Sequence, residues 1–421
     1  MAEPEIVDRL RRLISEELAD LIEFRRDLHA HPELMYQEVR TAGRVRASLE
    51  ESTIEFVDDL AGGTGVLAFL PGKDTDRAVA LRADMDALPI QEESDRPYAS
   101  TVDGRMHACG HDGHTTICLG AARVLKRLSD EVGGLPNPVK FVFQPAEEGG
   151  GGGERMVQDG VLGAELLGPR VSRMFGLHCW PMLPLGVIAT RPGPLLAATD
   201  LFTVTVRGRG GHAASPHFTN DPIVGASEIV GALQTIASRN VDPIDSIVVS
   251  VTKVQAGTAF NIIPDEATFA GTMRTLRDET RAFGRERFYE IVERVASAHR
   301  CEASVDWHVG YPVTRNHPTA VTEFFDAARG AVGAERAQLY PEPCMGGEDF
   351  SYYCNEVPAC FFLLGQQRAP DEPYPMVHTP RFDFNDDSIA LGVEMFCRLA
   401  LGMGARDAGE ASNERVPEEV S

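Results

Sequence analysis

One thiol and three imidazoles fall within eight residues, His107-Ala-Cys109-Gly-His111-Asp112-Gly-His114. Soft sulfur beside imidazole nitrogen is a donor set that zinc and other borderline divalent cations accept. The segment opens a predicted helix, and a helix N-terminus lowers a thiol's pKa toward the thiolate a metal needs. On this segment alone, a catalytic Cys–His pair or histidines capping a loop stay open as readings. Glu147-Glu148 adds two carboxylates at the end of an apolar run. Side chains alternate along a strand, so one can hold a cation while the other faces the cavity as a base. Metal-assisted hydrolysis needs that division, because the cation acidifies a water and the carboxylate relays its proton. A solvated acidic turn is the plain alternative for a Glu pair; the five glycines that follow, which let backbone pack closely, weigh against it. His178, in His-Cys-Trp-Pro, is either a ligand or a hydrogen-bonded core histidine. His378 stands in Met-Val-His-Thr-Pro, and Asp84 and Asp86 are either ligands or groups that orient a ligand imidazole. Together these residues supply ligands for two cations.

Such a set has to be held by a scaffold. Apolar residues at 6, 10, 13, 14, 18, 21 and 28 predict a helix over 6–28. Apolar runs at 65–69, 78–82, 139–143, 174–177 and 360–364 predict buried strands of a mixed α/β sheet, with an amphipathic stretch at 115–128 between two of them. Three of the runs end directly in the polar clusters at Asp84, Glu147 and His178, and ligands gather beyond the carboxyl ends of strands in open α/β sheets. From about residue 196 the pattern changes. Strand 201–207, helix 221–239, strands 246–255 and 263–275, helix 278–298 and strand 303–309 give a β-α-β-β-α-β order. The predicted organisation is a catalytic unit in two parts, 1–195 and 312–404, an inserted ferredoxin-like unit at 196–311, and a disordered tail at 405–421.

The chain has 421 residues, with 63 acidic against 40 basic side chains and a net charge of -23. So negative a surface repels phosphate backbones and anionic lipids, which argues against nucleic-acid and membrane-surface roles. The longest uncharged stretch near the middle, 174–190, contains His178, Pro181 and Pro184 and is too short to span a bilayer. The first residues are acidic where a secretory leader would be basic, and the eight cysteines are scattered. The expected location is the cytoplasm.

Eight segments also carry a resemblance in order and spacing. They begin with 81–89 (Leu-Arg-Ala-Asp-Met-Asp-Ala-Leu-Pro), 107–114, 144–148 (Gln-Pro-Ala-Glu-Glu) and 176–178 (Gly-Leu-His). They continue with 211–216 (Gly-His-Ala-Ala-Ser-Pro), 260–264 (Phe-Asn-Ile-Ile-Pro), 347–350 (Gly-Glu-Asp-Phe) and 378–380 (His-Thr-Pro). Over residues 10–403 the chain resembles the di-metal amidohydrolases that include bacterial hippurate hydrolase, N-acyl-amino-acid amidohydrolases and plant auxin-conjugate hydrolases. These are relatives of aminoacylase and the zinc carboxypeptidases.

The resemblance implies roles. Cys109, His111, Glu148, His178 and His378 match the ligands of two divalent cations per subunit, with the Cys109 sulfur shared. Zinc or manganese is expected, with cobalt and nickel open. Glu147 matches the general base that then protonates the leaving amine, and Asp86 the aspartate that orients a ligand imidazole. Asp84 stands where relatives carry a metal-binding histidine and is left out of the ligand set. The inserted unit matches a lid that also forms a homodimer, with pairing into tetramers open. His212 resembles the residue that crosses to the partner's site and polarises the scissile carbonyl, and Asn261 and Arg274 resemble groups that hold the substrate. The implied reaction splits an N-acyl amino acid, or a related amide, into a carboxylic acid and an amino acid. Hydrolytic deamination of an aromatic amine at the same centre is the alternative within hydrolysis. A binding protein that has lost its chemistry, or a cysteine hydrolase using Cys109, are the alternatives outside it.

Overall fold

The computed structural model describes residues 3–369 and 374–402. The expected tail at 405–421 lies outside the described residues. In chain order the first part contains α1 (Glu3–Ala30), α2 (Val39–Glu51), β1 (Glu55–Leu60), β2 (Gly65–Leu70), β3 (Ala78–Asp84), α3 (His111–Val132) and β4 (Val139–Gln144). It continues through α4 (Gly152–Gln158), β5 (Val171–Pro184), β6 (Ile188–Thr190) and β7 (Gly193–Leu196). After the insertion come β14 (Thr314–Asn316), α7 (Pro318–Val332), β15 (Ala337–Leu339), α8 (Ser351–Glu356), β16 (Ala359–Gln367) and α9 (Ile389–Leu401). The inserted strands and helices, β8 to β13 with α5 and α6, are given below.

One mixed sheet of eight strands, in the order β1-β2-β4-β3-β5-β16-β6-β15, organises this unit. Its central members β4, β3, β5 and β16 run parallel. They are buried on both faces, which is why they read as continuous apolar runs rather than alternating ones. Val79, Leu81, Phe141, Phe175 and Phe362 point into a core shared with α1, α3, α7 and α9; Ala80, Val142, Met174 and Phe361 point into a second core with Phe350 and Tyr353. The short expected run 174–177 is part of a much longer strand. β5 keeps its parallel pairing with β16 as far as Pro184, so His178 lies inside a strand rather than at its end.

The inserted α+β unit comprises β8 (Ala198–Arg207), β9 (Gly211–His212), α5 (Pro222–Thr235), β10 (Ile247–Ala256), β11 (Ile262–Ile263), β12 (Glu266–Thr275), α6 (Asp278–Ala298) and β13 (Glu302–Val309). Its four main strands are antiparallel in the order β10-β12-β8-β13, the ferredoxin-like arrangement. Phe202, Val204, Phe269 and Met273 face the helices and close a separate core with Ile229, Leu233, Phe288 and Val292. Asp221 caps α5 by accepting from the Ile223 N–H, and Pro222 takes the first helical position. The expected strand 263–275 is two strands. Pro264 has no N–H to give a ladder; before it Ile262–Ile263 pairs with Gly211–His212, and after it Glu266–Thr275 becomes a central strand of the unit.

Candidate metal centre

Loops and strand ends after β3 and β4, with the interior of β5, place the candidate ligands within reach of one another. Gly110 (φ +83°) turns the chain into α3, so that Cys109 precedes the helix and His111 opens it. A Cβ at Gly110 would sit 2.6 Å from the Cys179 sulfur, so the turn needs glycine for space as well as for its backbone angle. After β4, the backbone turns at Ala146 (φ +55°) and Gly149 (φ +88°), presenting Glu147 and Glu148. His378 also adopts a left-handed backbone (φ +63°), held by its N–H on the Ala108 carbonyl at 2.7 Å.

The Cys109 sulfur lies 3.2 Å from His178 Nε2 and 3.3 Å from His378 Nε2. His378 Nε2 is also 3.1 Å from Glu148 Oε1. Donor atoms of Cys109, His111 and His178 form one cluster, and those of Cys109, Glu148 and His378 another, each within 4.8 Å. The thiol is common to both. Orientation of the rings is fixed from behind. Asp86 takes the His111 Nδ1 at 3.1 Å and the N–H groups of Glu147 and Glu148 at 3.0 Å each, so one carboxylate sets a ring and a turn together. His178 Nδ1 donates to the Cys179 carbonyl at 2.7 Å. Both arrangements leave Nε2 as the free lone pair, the tautomer metal ligands use. His111 Nε2 is buried and, among the described residues, has no hydrogen-bond partner. That open nitrogen, in one of two donor clusters that share a thiol, fits a pair of cations.

Asp84 and His114 are near but already engaged. Asp84 binds Arg82 at 2.6 Å and His114 Nδ1 at 2.7 Å, and His114 Nε2 accepts the Cys179 N–H at 2.9 Å. Both ring nitrogens of His114 are used and both Asp84 oxygens have a partner, although Asp84, His111 and His114 also bring donor atoms together within 4.8 Å.

Within the chain's own field, burial, then Glu148, Cys179, Glu147 and Asp84, push the Cys109 thiol well above its ordinary value, against the pull of the helix N-terminus; a divalent cation would favour the thiolate. His111 moves up to about 10, because Asp84 and Asp86 outweigh the burial that opposes its charge. The same negative surroundings favour a divalent cation at that point. Burial, then Glu348, Glu148, Asp349 and Asp86, hold the Glu147 carboxyl well above the usual range. Glu148 moves the other way: the His378 contact and the His111 charge override its burial. Adjacent carboxyls are therefore driven apart, the pattern of one acid–base group beside one ligand.

These residues open onto a cavity of about 500 Å³. Glu147, Glu148 and His178 line one side; Trp180, Met182, Leu196 and Met376 supply apolar walls, and Arg274 comes from the inserted unit. Arg274 Nε donates to Thr272 Oγ1 at 3.0 Å, and among the described residues no carboxylate pairs with its guanidinium. His212 and Asn261 are elsewhere. His212 pairs with Ile262 in the short β9–β11 ribbon, the Ala213 N–H bonds the Asn261 carbonyl at 3.0 Å, and both side chains are exposed away from the cavity lining.

Several supporting groups have no assigned role in the sequence reading. Arg82, fully buried in β3, binds Asp84, Glu348 and Asp349 at 2.6–3.0 Å. Glu348, raised to about 8 chiefly by burial, and Asp349, raised to about 6 for the same reason, stand behind Glu147. Glu38 accepts the Ala146 N–H at 2.9 Å, and Tyr311 donates to the Glu147 carbonyl. An arginine inside an apolar strand was the local signal for the first of these; Glu348-Asp349 lies in one of the quoted segments without a role attached.

Comparison with known proteins agrees with this geometry. A family model described as peptidase family M20/M25/M40 matches residues 80–402. The N-acetylcysteine deacetylase of Bacillus subtilis is 40% identical over 382 residues, 90% of this chain and 96% of that protein. The IAA-amino acid hydrolase ILR1-like 4 of Arabidopsis thaliana is 40% identical over 384 residues, 90% of this chain and 84% of that one. A crystal structure from Bacillus subtilis, described as a dinuclear metal binding peptidase from the M20 family, superposes with a TM-score of 0.76 at 36% identity, covering 92% of this chain and 98% of that one.

Proposed function

Since this chain belongs to peptidase family M20/M25/M40 and is a hydrolase, we propose that it is a metal-dependent amidohydrolase of N-acyl amino acids, releasing a carboxylic acid and an amino acid. The observation that carries the reading is a buried thiol shared by two donor clusters, with Glu147 beside them and, across the same cavity, a guanidinium that has no carboxylate partner among the described residues.

Cys109, His111, Glu148, His178 and His378 are the residues that would hold two divalent cations, zinc or manganese, with cobalt or nickel accepted by the same donors. When bound, the cations supply Lewis acidity toward a water and the scissile carbonyl. The chain's own residues do the rest. Arg274 holds the substrate carboxylate, and Asn261, which stands beside His212 outside this cavity, would join it only from a neighbouring chain. Glu147 takes the proton of the attacking water and delivers it to the departing nitrogen. Asp86 keeps the His111 ring and the Glu147–Glu148 turn in register.

His212 does not line the cavity of its own chain; in a homodimer it would reach the neighbouring one and stabilise the developing oxyanion. Phe218, Phe260 and Ile262, all exposed on the same unit, give that edge an apolar surface suited to burial against a second copy. Among the described residues no helix is long and apolar enough to cross a membrane, and eight unpaired cysteines suit the reducing cytoplasm.

The test is amine release from hippurate, N-acetyl amino acids and indole-acetyl amino acids, with dialysed protein, with added manganese or zinc, and with chelator. Metal-dependent release is expected. Silence across the panel with two metals bound per chain would move the reading to another C–N bond, such as that of an aromatic amine.

A further inference from the structure

The inserted unit leaves and rejoins the catalytic unit through two segments that lie side by side, at 198–200 and 309–312. They are stitched together. The Thr199 N–H donates to the Tyr311 carbonyl at 2.9 Å, and the Tyr311 N–H donates to Thr199 Oγ1 at 3.0 Å. Asp200, 2% exposed, pairs with Arg281 of α6 at 2.6 Å and accepts the Gly310 N–H at 3.2 Å. Arg281 also donates to the carbonyls of Thr199 and Gly310. The root of the insertion therefore cannot shear without breaking a buried charged network.

From that root the Tyr311 phenol reaches the turn after β4. It donates to the Glu147 carbonyl and accepts the Gly151 N–H at 3.3 Å, so a single oxygen bridges the two ends of the turn. The turn has reason to be tied down. Ala146, Gly149 and Gly151 all have left-handed backbones, costly for the alanine. Other ties come from the catalytic unit itself: the Tyr36 hydroxyl donates to the Gly150 carbonyl at 2.6 Å, and Glu38 accepts the Ala146 N–H. Tyr311 differs from these in belonging to the insertion root.

We propose that Tyr311 is a positioning residue, coupling the root of the inserted unit to the turn that carries Glu147, so that movement of one re-aims the other. The inference rests on the role given to Glu147 above, but its test does not depend on turnover. Amide hydrogen exchange of 146–152 would be followed in the full-length metal-loaded protein for Tyr311→Phe, Thr199→Val, their double variant and Tyr36→Phe. Tyr311→Phe keeps the ring on Tyr352 and removes only the hydroxyl; Thr199→Val removes an acceptor at the root without touching the turn.

Both single variants are expected to speed exchange about tenfold, the double no more than the stronger single, while Tyr36→Phe adds to either. In turnover, Tyr311→Phe should lower kcat by tenfold or more with KM within twofold and metal content unchanged. Unchanged exchange in Tyr311→Phe overturns the proposal, as do a silent Thr199→Val or simple additivity of the two. If Tyr311→Phe fails to fold, Thr199→Val alone decides between coupling and none. Silence on every amide with the exchange pattern intact would sink the amidohydrolase reading and leave this one standing.

Discussion

Cys109, His111 and Glu147 at the end of the main sheet are buried and braced from several elements, whereas His212 and Asn261 on the inserted unit stand in solvent with a two-residue ribbon behind them. The first group is braced within one chain: Asp86 holds the His111 ring and the Glu147 N–H, Glu38 the Ala146 N–H, and Tyr311 the Glu147 carbonyl. The second has fewer ties among the described residues, and its neighbours Phe260, fully exposed, and Ile262 add an apolar surface. The buried group can be argued from its own geometry, while the exposed group carries a role only through the proposed homodimer.

Breaking the contrast gives the largest effect. Glu147→Ala should cost on the order of 10³-fold or more in kcat while two metals remain bound; His212→Ala should cost roughly 10²- to 10³-fold. Mixing the two inactive variants under subunit exchange is expected to restore part of the activity, because one mixed cavity would contain both intact groups. Verified heterodimers without recovery would return His212 to its own chain or remove it from the reaction.

A smaller effect tests the wall between the two regions. Arg274→Met should raise KM roughly tenfold to a hundredfold for substrates with a free carboxylate. The corresponding carboxamides should hardly notice. Equal losses on both would show that Arg274 shapes the cavity rather than reading the anion.

The smallest prediction concerns bracing alone. His29, buried in α1, binds Asp112 at 2.8 Å and Glu92 at 3.4 Å. Burial opposes its charge, but these partners, Asp112 foremost, hold it at about 9 against an ordinary 6.5. Protons therefore bind the folded chain more tightly than the unfolded one. The stabilisation, about 3 kcal/mol at most, is complete below pH 6.5, fades as pH rises and is gone above about 9. Tm should fall across that window, and His29→Gln should flatten the fall. A variant with the same slope as wild type would place the titration elsewhere.

Much of the centre was legible because ligand chemistry is local: a thiol, imidazoles and a Glu pair in short segments announce themselves by type. The strands at 65–70, 78–84 and 139–144 were legible for a similar reason, since burial on both faces leaves an unbroken apolar run. What stayed hidden depends on distant pairing. Nothing near Tyr311 says that its hydroxyl ends on Glu147, and nothing near Asp349 says that Arg82 neutralises it. The field at Cys109 was not legible either, because a helix end acts locally while burial among Glu148, Glu147 and Asp84 brings together two separate parts of the chain. Helices α2, α4, α7 and α8 lie outside the predicted elements, because none of them carries a motif residue.

The long parallel pairing of β5 with β16 has a consequence for biosynthesis. β5 is finished at Pro184, yet the strand that covers its free edge begins only at Ala359. During translation the ribosome spends on the order of tens of seconds making everything between. For that interval a nascent chain carries Phe175, Leu177 and an unpaired backbone edge, the kind of surface that recruits chaperones or other unfinished chains. The inserted unit, whose strands and helices pair among themselves, can fold meanwhile at the tunnel mouth.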